Sequence, residues 1–164
     1  MKQKMLLGAV LLISTFMSLN AQMNDALVIR AGQTKSVSIS DNMDVILMAA
    51  DKNEDNVVVS PEAIEKLMVD MNKNTMNIAP RGYVAKGTRR TVFLYVNDLE
   101  KLVVGPNSTV RTVGVLNSEN MKVYIDENVK AHVRVTGHVN AYPAEGVAIE
   151  INDIAKNRTT TKGF

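Results

Sequence analysis

Cysteine and tryptophan are both absent from the 164 residues. Without cysteine there are no disulfides, no thiolate nucleophile and no residue for a lipid anchor on sulfur. Only His132 and His138 remain as soft ligands, too few for a structural zinc site. Aromatics are scarce, with three Phe and four Tyr. That weighs against a sugar-stacking site and against an outer-membrane barrel, which needs aromatic girdles. The chain does end in Phe164, but after Thr159-Thr160-Thr161-Lys162-Gly163, which reads as a frayed tail. No Gly-x-Ser-x-Gly is present, so the usual serine nucleophile motif is missing as well.

The N-terminus carries an export signal. Lys2 and Lys4 form a basic start, Met5–Phe16 is an apolar run too short to span a bilayer, and Leu19-Asn20-Ala21 suits cleavage before Gln22. Residues 1–21 are therefore expected to be removed, leaving a single β domain over 22–155 and a flexible tail over 156–164. Loss of Lys2 and Lys4 takes two from the 19 basic residues and brings them level with the 17 acids. A near-neutral mature surface does not supply the basic field that nucleic acid requires. The expected location is the periplasm, the cell surface or the medium.

Beyond the signal, the chain reads as short strands. Val113/Val115, Val123/Ile125 and Val133/Val135 recur ten residues apart, preceded by Leu102/Val104 and followed by Val147, Ile149 and Ile151. Alternation at period two places each pair on one face of a strand, and Asn, Asp, Gly and Ser between them are turn chemistry. Leu27–Ile29, Val37/Ile39, Val45–Met48, Val57–Val59 and Val92/Leu94/Val96 read as further strands. Asn72-Lys73-Asn74 is a tight turn with Thr75–Ile78 returning as a hairpin partner. Ser60-Pro61-Glu62 combines an N-cap, a first-turn proline and an acid, which predicts one short helix over Pro61–Lys66.

Three clusters carry candidate chemistry. Asp51, Asn53, Asp55 and Glu62 fall at positions one, three, five and twelve of a calcium loop. Asn56 stands where that loop has glycine, no helix precedes it, and a β-turn between Met48 and Val57 accounts for the same acids. Arg81, Lys86, Arg89 and Arg90 lie in the loop from Pro80 to Arg90 and could hold an anionic sugar, a lipid headgroup or an acidic partner; a solvated loop is the alternative. His132 and His138 read as solvated or edge residues. Asn107-Ser108-Thr109 and Asn157-Arg158-Thr159 match a glycosylation sequon that most bacteria leave idle.

On the residues alone, a ten-residue unit is either half a coil of a solenoid or one arm of an antiparallel meander. In the solenoid, Leu102/Val104 stack on Val123/Ile125, and Val113/Val115 on Val133/Val135. Several segments resemble the exported bacterial auto-transporter adhesins with a head GIN domain. They are Ser36–Leu47, with Asn42-Met43-Asp44 where members tend to have Gly-Ile-Asn, Leu67–Ile78, and Thr91–Val104. The resemblance covers about residues 30–140 and departs at the turns, where members often have Gly-Ser-Gly. It implies a mostly β fold, a β-solenoid of single-stranded β-helix type with an N-terminal hairpin region, and no catalytic residues.

The reading is a non-enzymatic exported binding or adhesion module without a cofactor. Its partner would be a surface glycan or protein, and self-association would use strand edges. Two alternatives stand beside it: a carrier of a small hydrophobic ligand or of calcium, and a polysaccharide-active enzyme on a β-helix. The last requires Arg111, Lys130 and Arg134 to gather with Asp126 on one face.

Overall fold

The computed structural model describes residues 27–50, 55–59, 65–85, 87–145, 147, 149–153 and 158–162. The proposed signal, Met1–Ala21, lies outside them. The chain order is β1 (Leu27–Gly32), β2 (Ser36–Ile39), β3 (Met43–Ala49), β4 (Asp55–Val59), β5 (Leu67–Asn72), β6 (Thr75–Pro80) and β7 (Arg90–Val96). There follow β8 (Lys101–Val104), β9 (Thr109–Val113), β10 (Asn120–Ile125), β11 (Lys130–Val135), β12 (His138–Pro143), β13 (Ile149–Asp153) and β14 (Arg158–Lys162). They form an eight-stranded sheet, β1-β4-β7-β3-β9-β11-β13-β14, and a six-stranded sheet, β12-β10-β8-β2-β6-β5.

The alternating apolar residues of the sequence are the inward faces of these sheets. From β7 to β13 the chain crosses between sheets at every turn, and from β8 on each strand lies parallel and in register on the next in its own sheet. Leu102 stacks on Val123 and Val104 on Ile125, as the spacing predicts. The columns continue through Val37 and Met76 on one line, and through Ile39 and Ile78 on the next. In the other sheet Val92, Val45, Val110 and Ala131 form a matching column. Together these side chains make one buried cluster, most of them without solvent exposure. Burying each such chain contributes about 1.5–3 kcal/mol.

Two expectations are corrected. The fold is not a β-solenoid but a pair of mixed parallel and antiparallel sheets. Successive coils of a solenoid stack in chain order; here β2 sits between β8 and β6, and β3 between β9 and β7. The pairs β1/β4, β4/β7, β5/β6 and β13/β14 are moreover antiparallel. Nor is there a helix among the described residues. Of the segment assigned to one, Glu65 and Lys66 form a turn leading straight into β5, while Pro61–Ile64 lie outside the described residues. The start signals at Ser60-Pro61-Glu62 have no apolar helical stripe to follow, because Leu67, Val69 and Met71 are held by pairing with Pro80, Ile78 and Met76. Arg158–Lys162, at the end read as a tail, pair with β13 as β14.

A third difference is local. Val113 is 47% exposed and Val115 half-buried, whereas Val110, Thr112 and Leu116 are buried. Arg111 pairs with His132, yet Leu116 pairs with Val135, so the first strand spends two more residues than the second. The surplus bulges outward around Gly114, at φ +80. Thr112 takes the inward position, and its Oγ1 accepts a hydrogen bond from the Arg134 N–H at 3.1 Å. Val123, Ile125, Val133 and Val135 do point inward.

The turns stack as the strands do. Asn42, Asn107 and Asn128 hold left-handed φ of 56, 56 and 55. These are positions where glycine is the usual solution and asparagine the next best. The Asn42 N–H donates to the Pro106 carbonyl and the Asn107 N–H to the Glu127 carbonyl, at 3.1 and 3.0 Å. Ser108 locks this stack: its hydroxyl meets the Met43 N–H and the Ser40 carbonyl, both at 3.1 Å. On the opposite side Gly137 lies directly on backbone. A Cβ there would fall 2.2 Å from the Glu119 carbonyl oxygen.

These contacts set an order of sensitivity for urea melts. Leu116→Ala is expected to cost about 2–5 kcal/mol and Val113→Ala less than about 0.5 kcal/mol. The reverse order would mean that the bulge is misplaced. Gly137→Ala should destabilise by at least about 1–3 kcal/mol, because no side chain can move aside to admit the methyl.

Candidate binding face

Inward columns imply outward ones. On the six-stranded sheet one outward row runs Thr75, Ser36, Lys101, Lys122 and Asn140, and the next runs Asn77, Ser38, Val103, Tyr124 and Tyr142. The rows are polar apart from Val103, and the second ends in two tyrosines. Their rings stack 4.8 Å apart at 12°. Lys101 Nζ lies 5.2 Å over the Tyr124 ring, a cation–π contact. Tyr124 is thus covered from both sides. Tyr142, 48% exposed on the edge strand β12, has one ring face against Tyr124 and the other toward solvent.

The outward face of the eight-stranded sheet is different. Val28, Val58, Phe93 and Ile46 form a row that continues into Arg111 and His132. Val28 and Phe93 are well exposed; Ile46 is buried among its neighbours. Arg111, Lys130 and Arg134 sit on β9 and β11, whereas Asp126 lies in the turn between β10 and β11, its Oδ1 accepting from the Glu127 N–H. His132 and His138 are half-buried on β11 and β12. No cluster of three or more His, Asp or Glu suited to a metal occurs among the described residues.

Of the calcium-loop residues, Asp51, Asn53 and Glu62 lie outside the described residues. Asp55 is buried, and both of its carboxylate oxygens are engaged: Oδ2 accepts the Thr34 N–H and Oδ1 the Asn97 N–H, the latter at 2.8 Å. It ties the β1–β2 connection to the end of β7. Of the cationic loop, Lys86 lies outside the described residues. Arg81 is exposed, and its N–H donates to the Lys66 carbonyl at 2.7 Å. Arg89 Nε donates to the Asn107 carbonyl at 2.8 Å. Arg90 is half-buried, its N–H on the Asn42 carbonyl at 3.0 Å. Arg89 and Arg90 therefore brace the asparagine turns.

Lys101, Lys122, Tyr124 and Tyr142 escape a motif search, being ordinary residues at unremarkable positions. The signal that could find them is the stacking itself. If Leu102 lies on Val123, then Lys101 must lie on Lys122, and Val103 on Tyr124. Beside this face, Lys35 bridges Asp98 and Glu100, the second at 3.4 Å. The hydrogen bond to Asp98 raises the ammonium pKa against partial desolvation. The bridge therefore stabilises the fold below the ordinary lysine pKa and is lost as pH rises through the elevated one.

Asp55→Ala should be among the more damaging single changes. It orphans two backbone N–H groups at about 1–3 kcal/mol each, and thermal melts should show the loss without calcium in the buffer.

Comparisons with known proteins place this architecture. No curated protein matches the chain. A putative adhesin from Parabacteroides merdae ATCC 43184 superposes with TM-score 0.62 at 11% identity, covering 77% of this chain and 55% of that one. A putative adhesin from Bacteroides fragilis NCTC 9343 gives TM-score 0.49 at 9% identity, covering 71% and 60%. A putative lipid binding protein from Parabacteroides distasonis ATCC 8503 gives 0.43 at 14%, covering 77% and 58%. The chain thus spans less than two thirds of these structures, and the likeness to the first is one of fold alone. Residues 34–156 match the family described as putative auto-transporter adhesin, head GIN domain, and the chain belongs to that family.

Proposed function

We propose that this protein is an exported, non-enzymatic binding or adhesion module that meets its partner, a glycan or protein at the cell surface, on the outward face of the six-stranded sheet. The observation that carries the reading is the Tyr124–Tyr142 pair. Four tyrosines are scattered through the sequence, and two of them come together on one polar face with Lys101 against the Tyr124 ring. Exposed aromatic rings among hydroxyl and amide groups give large contact area at low entropic cost, with hydrogen bonds around it. Export is supported by Lys2, Lys4 and the Met5–Phe16 run, and adhesion by the names of the family and of its structural neighbours.

Two experiments test this. Fractionation of the native host should find the protein outside the cytoplasm beginning at Gln22; recovery with Met1 intact would refute export. A glycan and protein-partner screen should yield ligands whose affinity falls about tenfold or more in Tyr142→Ala, the loss of about 1.4 kcal/mol or more. Arg111→Ala, on the opposite sheet, should leave binding unchanged. Ligands indifferent to Tyr142 and Tyr124 but lost with Arg111 would move the function to the other face.

A further inference from the structure

We infer that the ligand of this face is an acidic glycan, a sugar polymer bearing carboxylate or sulfate groups, held by Lys101 and Lys122 beside the open ring of Tyr142. The inference rests on the binding role proposed above and names its chemistry. Lys101 and Lys122 are direct neighbours on adjacent parallel strands, and strands lie about 4.8 Å apart. Both are exposed, and neither forms an ion pair among the described residues, where Lys35 is the lysine that does. Like charges set opposite each other across a ladder destabilise it. Two lysines in register are therefore a local cost to the fold, and such costs concentrate at functional sites. An anion between them removes the repulsion and gains two charge-assisted hydrogen bonds.

The neighbours of the pair fit the same ligand. Ser36 flanks Lys101 and Asn140 flanks Lys122 in the same row, supplying a hydroxyl and an amide for sugar hydroxyls. Tyr142 stands in the next row on the adjacent strand; the fold offsets the scarcity of aromatics by bringing two rings together, and the exposed one is available to the apolar face of a pyranose. The acids nearby, Asp98, Glu100 and Glu119, lie in the segments leading into β8 and β10 rather than in these rows, and Lys35 bridges two of them. Acid group and ring face are separated across strands, so the site suits a polymer rather than a single sugar. Two lysines on an otherwise near-neutral mature chain are a poor match to nucleic acid, which demands an extended basic field.

The test uses protein isolated from the native host, with polygalacturonate, dextran sulfate, neutral dextran and a DNA oligonucleotide as probes. Wild type should bind at least one of the acidic polysaccharides and not dextran, and more weakly as salt is raised. Which acidic polymer binds distinguishes carboxylate from sulfate. Lys101→Ser and Lys122→Ser should each weaken binding about tenfold, while Lys122→Ser leaves the melting temperature unchanged or raises it, since it removes a repulsion. Tyr142→Ala should weaken binding with unchanged salt dependence. Binding that survives both lysine substitutions overturns the inference. So does tight binding of dextran that depends on Tyr142, although the binding face then stands. Equal, lysine-dependent binding of the oligonucleotide also overturns it, as would failure of both acidic polymers. The partner screen above decides separately whether the face binds anything else.

Discussion

In-register parallel stacking is the constraint on which the rest of the molecule depends. Once Leu102 rests on Val123, every residue around them inherits a neighbour about twenty positions away. Buried columns follow, because each inward side chain finds a like side chain above it and water has no way in. The chain can afford valine, isoleucine and methionine where other cores use aromatics, since a column of modest side chains repeated through five strands fills the space between sheets. The same rule acts on the turns. Asn42, Asn107 and Asn128 share one left-handed conformation and hold one another by backbone hydrogen bonds, so no one of them chooses its geometry alone.

Period-two alternation was a sound guide wherever the strands are regular. The apolar residues of β2, β8, β10 and β11 point inward as their spacing implies, and the turn at Lys73 closes the β5–β6 hairpin where polar residues interrupt the pattern. Alternation failed at Val113, where both parities offered a plausible inward set. The inward set there is decided by the length of the chain between Arg111 and Leu116, two residues longer than its partner segment. That quantity belongs to the pairing of two segments and is invisible in either one. Glu65 and Lys66, the described end of the expected helix, turn into β5 for a related reason: capping residues describe how a helix would begin, and the demand of β6 for a partner is a tertiary matter.

The strand order was the least legible feature. Ten-residue spacing is compatible with layers stacked in chain order, and nothing local says that β2 and β3 are enclosed by strands that come some forty to sixty-five residues later, as Ser36 with Thr75 and Lys101 illustrates. The energetic logic becomes clear only in three dimensions. Enclosed on both sides, β2 and β3 lose all exposed ladder edges, and Val37, Met43, Val45 and Leu47 reach zero exposure. Their continuous apolar run at Val45–Leu47 is the trace of that position, since a strand inside a sheet tolerates apolar residues on both faces.

Stacking also explains how a candidate binding face can escape notice in plain composition. A column does not distinguish inward from outward rows; it repeats whatever the sequence supplies. Inward, repetition of apolar residues lowers the free energy. Outward, it is neutral for Ser36 and Thr75, favourable for Tyr124 on Tyr142, and unfavourable for Lys101 on Lys122. A surface selected for stability alone would keep the tyrosine pair and replace one lysine with an acid, turning repulsion into a cross-strand pair. Keeping both lysines beside the stacked rings is what marks the outward rows of the six-stranded sheet as the candidate face for the recognition proposed above. Among the described residues of the opposite sheet no stacked ring pair with a cation against it occurs, and its apolar row passes into Arg111 and His132.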